Sequence, residues 1–187
     1  MPLWVECSAV PERLENGDTL WHGFIKDISD NKKHEQDLLL SEQRFRSLFE
    51  LSQVGIALND LVTGQFLEVN PAFLAFVGYE REELLALNYW EITPKEYEAQ
   101  EQAQLQQLEA TGHYGPYEKE YIRKEGARFP VLLNGVKLVE PSGLDVIWSI
   151  VQDISERKRI EQDLVQARID AEAANRIKSE FLANMGH

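Results

Sequence analysis

Two stretches of this chain repeat at an offset of 126 residues. Asp27-Ile28-Ser29 returns as Asp153-Ile154-Ser155, Lys32 as Lys158, and Glu35-Gln36-Asp37-Leu38 as Glu161-Gln162-Asp163-Leu164. Gly17 maps onto Gly143 in the same ungapped register. A period this long implies repeated domains rather than a solenoid, whose units run to about 20–50 residues. Each copy reads alike. A strand-like run, Trp4–Val10 or Val131–Val139, leads to a turn at Asn16-Gly17 or Ser142-Gly143. A second run follows, Leu20–Ile28 or Val146–Ile154. Turn dipeptides between apolar runs signal a hairpin. Ser29 or Ser155 is then expected to cap a helix. Nothing precedes the first hairpin, so residues 1–29 are expected to be the last two strands of a domain whose front is missing.

A linker helix over 30–41 leads into one complete domain, residues 42–155. Its opening helix carries Phe45, Leu48, Phe49 and Ser52 at i, i+3, i+4, i+7 spacing. Gly55–Asn59 and Phe66–Asn70 read as strands joined at Thr63-Gly64. Asn70 before Pro71 is a helix start, and Gly78 ends that helix. Thr93-Pro94-Lys95-Glu96 reads as a capping box opening a helix to Thr111, with Gly112 as its stop. Tyr117–Arg123, a turn at Lys124–Gly126 and the closing hairpin complete the order. Helix, two strands, short helices and three strands make an α+β domain with an antiparallel sheet.

A net charge of -13 argues against nucleic acid as a partner and against an anionic membrane surface. No apolar run approaches the roughly 20 residues that span a bilayer, and the N-terminus does not read as a signal peptide. The single cysteine, Cys7, forms no internal disulfide and fits a reducing, cytoplasmic location.

Three segments carry a family resemblance: VNPAFLAFVGY (Val69–Tyr79), YEKEYIRKEGARFPV (Tyr117–Val131) and the closing Asp153-Ile154-Ser155. They resemble a PAS domain and together span nearly all of residues 42–155. The resemblance implies a five-stranded antiparallel sheet with helices on one face and a pocket between them, here flanked by long coiled-coil-type helices. Glu80 stands where such domains often place Ser as the next helix cap. The resemblance also gives Asp153, Ile154 and Ser155 the role of coupling the sheet to the output helix.

Residue chemistry narrows the ligand. Flavin photosensors of this fold need a pocket cysteine, and Cys7 lies outside the complete domain. Haem sensors of this fold ligate iron through a histidine on the long helix, but no histidine lies between Trp90 and Gly112. Glu101 aligns with that position and is a poor haem ligand. His113 reads as a solvated loop residue. No histidine pair has metal-ligand spacing, so no metal is expected. Phe76, Trp90, Tyr97 and Tyr121 are the candidate lining for a small molecule or a non-covalent flavin, with ordinary core as the competing reading. The abundant Asp and Glu are read as solvated faces.

From Ser155 onward Ile160, Leu164, Ala167, Ala171, Ala174, Lys178, Phe181 and Met185 recur at alternating spacings of four and three, a heptad seam predicting a homodimer. The terminal run Lys178–His187, KSEFLANMGH, resembles the start of the phosphoacceptor helix of bacterial sensor histidine kinases. Phe181, Leu182, Ala183, Met185 and His187 match that pattern, and Gly186 stands where Ser is usual. The resemblance implies that His187 accepts phosphate in a two-component phosphorelay, with a kinase ATP-binding domain and a response regulator as partners. It lies about 200° around the helix from Met185, facing away from the seam. No phosphate-cradling glycine loop is present, so residues 156–187 carry signal rather than catalysis. The alternatives are a ligand-free dimerisation or protein-interaction module and the sensor of a cyclic-dinucleotide enzyme.

Overall fold

In a computed structural model, the structure describes the backbone of residues 3–185 and side chains through residue 180. The chain divides into two units, residues up to 49 and residues from 50 on.

The first unit opens on an antiparallel hairpin, β1 (Val5–Arg13) and β2 (Thr19–Asp27), followed by helix α1 (Ser29–Leu51). Gly17 turns the hairpin at φ 89°, a conformation that costs a residue with a Cβ. Every residue of both strands is exposed.

The second unit contains a five-stranded antiparallel sheet in the order β4-β3-β7-β6-β5. Its strands are β3 (Gly55–Asp60), β4 (Phe66–Val69), β5 (His113–Ile122), β6 (Arg128–Val139) and β7 (Asp145–Asp153). Helices α2 (Pro71–Val77), α3 (Arg81–Leu85) and α4 (Glu98–Thr111) lie between β4 and β5 in the chain and pack on one face. Helix α5 (Ser155–Met185) leaves the last strand. At 1.5 Å per residue it is about 46 Å long.

The 126-residue repeat extends to the backbone pairing. Val5↔Asp27, Cys7↔Ile25 and Arg13↔Thr19 in the first hairpin become Val131↔Asp153, Leu133↔Val151 and Val139↔Asp145 in the second, and all nine pairs correspond. The closures match too. Ile28 N–H donates to the Trp4 carbonyl as Ile154 N–H donates to that of Pro130. Asp27 accepts the Ser29 N–H as Asp153 accepts that of Ser155.

The core follows the period-2 rule for strands. Phe129, Val131 and Leu133 of β6 and Ile147, Ser149 and Val151 of β7 face the helices. Against them pack Phe73 and Val77 of α2, Leu84 of α3, Leu108 of α4, and Ile92. Burying each such large side chain stabilises the fold by roughly 1.5–3 kcal/mol. Asn70 caps α2 as its sequence predicts, with Oδ1 accepting the Phe73 N–H at 3.0 Å. Gly78 and Gly112 close α2 and α4 at φ 75° and 80°.

Two helix starts differ from expectation. The capping box at Thr93 does not form. The Thr93 hydroxyl donates to the Tyr89 carbonyl at 2.8 Å, and the Glu96 carboxylate pairs with Arg128. A 3-10 turn, Lys95–Tyr97, therefore precedes α4. At α5 the Ser155 hydroxyl makes no capping bond among the described residues. Asp153 Oδ1 instead accepts the Ser155 N–H at 2.8 Å. The start of α3 at Glu80 is served by Glu83, whose carboxylate accepts the Glu80 N–H at 3.0 Å.

Candidate functional site

Between α4 and the inner face of the sheet lies a cavity of about 30 Å³. Its position follows from an irregularity in β5. The pairing of β5 with β6 shifts between Tyr114 and Tyr117, so a bulge restarts the alternation. Tyr114 and Tyr117 consequently both turn inward, with ring centroids 5.8 Å apart, and Lys119 and Tyr121 continue the inward set. Gly135 makes room for Tyr114. A Cβ there would lie 2.5 Å from the tyrosine ring.

A buried ion pair sits at this cavity. Lys119 Nζ is 2.7 Å from Glu101 Oε1, and the two side chains are 1% and 6% exposed. The ammonium also donates to Thr93 Oγ1 at 3.2 Å. It lies 4.5 Å from the centroid of the Tyr121 ring, with the Tyr89 and Tyr117 rings at 5.7 and 6.0 Å. The Tyr117 hydroxyl donates to the same Glu101 oxygen, and the Tyr114 hydroxyl donates to Ser149 Oγ at 2.7 Å. Burial pulls the Lys119 pKa down, and Glu101 opposes that shift. Burial, then the Glu101 charge, pushes the Tyr89 and Tyr117 hydroxyls well above the usual tyrosine range. The Tyr117 hydroxyl therefore keeps its proton and donates it to Glu101. A carboxylate and aromatic faces around an ammonium are the chemistry by which proteins hold ammonium ligands. Here the chain supplies that ammonium itself.

The cavity has room for one or two waters. Ligand pockets for larger molecules run to about 300–1,000 Å³, so neither a flavin nor a haem fits the cavity as it stands. Of the four residues expected to line a pocket, Tyr121 lines this cavity. Phe76 is half-buried at the margin of the core, where its carbonyl accepts from Arg123. Trp90 stacks on Tyr89 at 4.9 Å and lines open grooves on the surface. Tyr97 sits in the 3-10 turn beside an open groove. Glu101 does not belong to a solvated face, because its carboxylate is committed to Lys119. His113 is exposed. Among the described residues no group of three or more His, Cys, Asp or Glu is gathered to hold a metal.

The second feature is the junction with α5. Asp153 Oδ2 is 3.0 Å from Arg123 Nη2 while Oδ1 accepts the Ser155 N–H. Arg123 also donates to the Phe76 carbonyl and stacks on the Phe129 ring at 3.9 Å. One guanidinium thus ties together the end of α2, the β5–β6 turn and the root of α5. Ile154 is fully buried beside it. The three expected coupling residues are brought together here. Arg123, their partner, carries no local signal in the sequence beyond its place before a turn. His187 lies outside the described residues. No helix of the described residues is long and apolar enough to cross a membrane.

A family model described as a PAS domain matches residues 53–156. The sensor histidine kinase TmoS of Ectopseudomonas mendocina is 30% identical over 175 residues, covering 90% of this chain and 18% of that protein. The probable diguanylate cyclase DgcE of Escherichia coli is 36% identical over 126 residues, covering 65% of this chain and 11% of that protein. This chain therefore spans under a fifth of either relative. Among solved structures, a domain of a sensory box sensor histidine kinase/response regulator from Geobacter sulfurreducens superposes with a TM-score of 0.53 at 28% identity. The match covers 62% of this chain and 96% of that one.

Proposed function

This chain belongs to the PAS-domain family, sensory domains of signal-transduction proteins, and from that premise we propose that it is the cytoplasmic sensory and signal-transmitting region of a two-component histidine kinase. In this reading the PAS unit biases α5, and α5 runs on into the phosphoacceptor helix at His187. The observation that carries it is the junction at Asp153, where one carboxylate holds both Arg123 of the PAS core and the first turn of α5. Residues 3–27 are then the closing hairpin of a second, upstream PAS unit. Their strand register, residue for residue that of β6–β7, supports this.

The output is a parallel homodimer along α5. Ile160 and Leu164 stand exposed on the seam, and alanines make the rest of it weak, as suits a switch between packings that differ by a few kcal/mol. Val165 and Ile169 are also exposed, roughly 140° and 180° around the helix from Ile160. The seam therefore does not use every apolar side chain of α5, and a second packing has residues to draw on.

The likeness to a probable diguanylate cyclase favours a second reading, the sensor of a cyclic-dinucleotide enzyme. The run Lys178–Met185 disfavours this second reading, since it resembles the start of a phosphoacceptor helix. One experiment tests the proposal. The protein carrying this chain together with an ATP-binding kinase domain is incubated with labelled ATP, and its mass is read by light scattering. A dimer with acid-labile phosphate that His187→Gln abolishes is expected. A monomer, or label that survives His187→Gln, contradicts the proposal.

A further inference from the structure

The Asp153 junction is one link between the PAS unit and α5. A second runs through β5. Neighbouring residues of this strand point to opposite faces. Lys119 turns inward to Glu101, whereas Glu118 turns outward to α5. The Glu118 carboxylate is 2.6 Å from Lys158 Nζ and also pairs with Arg157, both in the first turn of α5. Helix α4 grips the same two residues. Its Glu101 holds the Lys119 side chain at 2.7 Å, and its Gln100 donates to the Glu118 carbonyl at 3.1 Å. One turn further along, Gln104 accepts the Gly115 N–H at 3.1 Å.

We infer that Glu118 is a coupling residue, and that the Glu101–Lys119 pair and the Glu118 clamp on Arg157 and Lys158 act as one unit across β5. Resting on the reading of α5 as the output helix, this assigns the regulation of that helix to the inside of the cavity. Whatever parts Lys119 from Glu101 loosens the hold of α4 on β5 at this step of the strand, and the same two-residue step then weakens the grip of Glu118 on the base of α5. The Asp153 link needs no change at the cavity.

Hydrogen exchange on the intact 187-residue chain tests this. The probes are the amides of Arg159–Asp163, in the second turn of α5. Glu118→Gln removes the charge of an exposed side chain. Glu101→Leu combined with Lys119→Met removes the buried pair without leaving an orphan charge. Each is expected to speed exchange of these amides about threefold, the scale of a surface charge interaction. The amides of β3 and β7 should stay protected. All three substitutions together are expected to give no more than the larger single effect. Wild-type rates in the cavity variant, or effects that multiply, would overturn the inference. If the double substitution unfolds the core, Glu101→Gln combined with Lys119→Met replaces it, because no charge is left buried and the amide oxygen still accepts from the Tyr117 hydroxyl. The same two outcomes then decide. Exchange is read on this chain alone, so failure to label His187 leaves the result intact.

Discussion

Lys119→Met lowers the stability of the PAS unit by about 3–5 kcal/mol, the usual loss when one partner of a buried ion pair is removed. The expectation rests on the environment of Glu101. Its carboxylate is 6% exposed and loses the charge that compensates its burial. The Tyr117 hydroxyl still donates to it, but one neutral donor does not offset the desolvation of a full charge. Methionine fills nearly the same volume, so little of the loss comes from packing. Glu101→Leu added to Lys119→Met recovers most of the stability, because replacing both members by apolar groups leaves nothing unpaired. Urea denaturation followed by tryptophan fluorescence measures both. A loss below about 1 kcal/mol for Lys119→Met would mean that water reaches the Glu101 carboxylate freely.

Asn70→Ala is expected to cost about 3 kcal/mol. Asn70 is fully buried and joins two elements. Its Oδ1 accepts the N–H of Phe73 at the start of α2 and of Ile56 in β3, at 3.0 and 2.8 Å, and its Nδ2 donates to the Val54 carbonyl at 2.9 Å. Alanine loses the cap, worth about 1 kcal/mol, and leaves the Ile56 N–H of β3 and the neighbouring Val54 carbonyl, both half-buried, without this partner, at up to about 1–3 kcal/mol each before relaxation and water recover part of it. Asn70→Asp keeps the acceptor but turns a second oxygen toward the Val54 carbonyl, so it does not rescue. Thermal melts of the two variants against the parent chain check this. A melt of Asn70→Asp close to the wild type would show that the Val54 bond contributes little.

Much of the frame was legible in the residues. The 126-residue repeat located both hairpins, with their turns at Asn16-Gly17 and Ser142-Gly143. Asn70-Pro71 named a helix start because the cap is local chemistry between neighbours. Thr93 carried an equally good local signal and misled. Its side chain is buried, where the hydroxyl donates to the Tyr89 carbonyl and accepts from the Lys119 ammonium, and Arg128 draws Glu96 away. Tertiary partners outweighed a pattern four residues long.

The cavity was legible only in part, and the reason is geometric. Glu101 and Lys119 are 18 residues apart on a helix and a strand. Whether Lys119 points inward depends on the bulge at Gly115-Pro116, which resets the alternation begun at Tyr114. Counting back from Lys119 through Tyr117 places it correctly, and the Tyr-x-Lys-x-Tyr spacing of residues 117–121 is the signal that could have found the site. Phe76, Trp90 and Tyr97 are aromatic and close to the right elements. Composition alone does not separate inward aromatics from those at the rim of a core.

Signal is proposed to pass from the PAS unit to His187 through the root of α5, and Asp153→Ala probes that route. Asp153 is the cleaner choice than Arg123, whose guanidinium also stacks on Phe129 and holds the Phe76 carbonyl. The variant removes the Arg123 contact and the bond to the Ser155 N–H, each of the size on which a two-state switch turns. Phosphate on His187 is measured in the kinase-bearing protein with and without stimulus, alongside a melt of the PAS unit. The PAS unit is expected to fold still, and the stimulated-to-basal ratio to fall toward one, with the Glu118 contacts to α5 left in place. A ratio unchanged from the wild type, with Asp153→Ala folded, would contradict it.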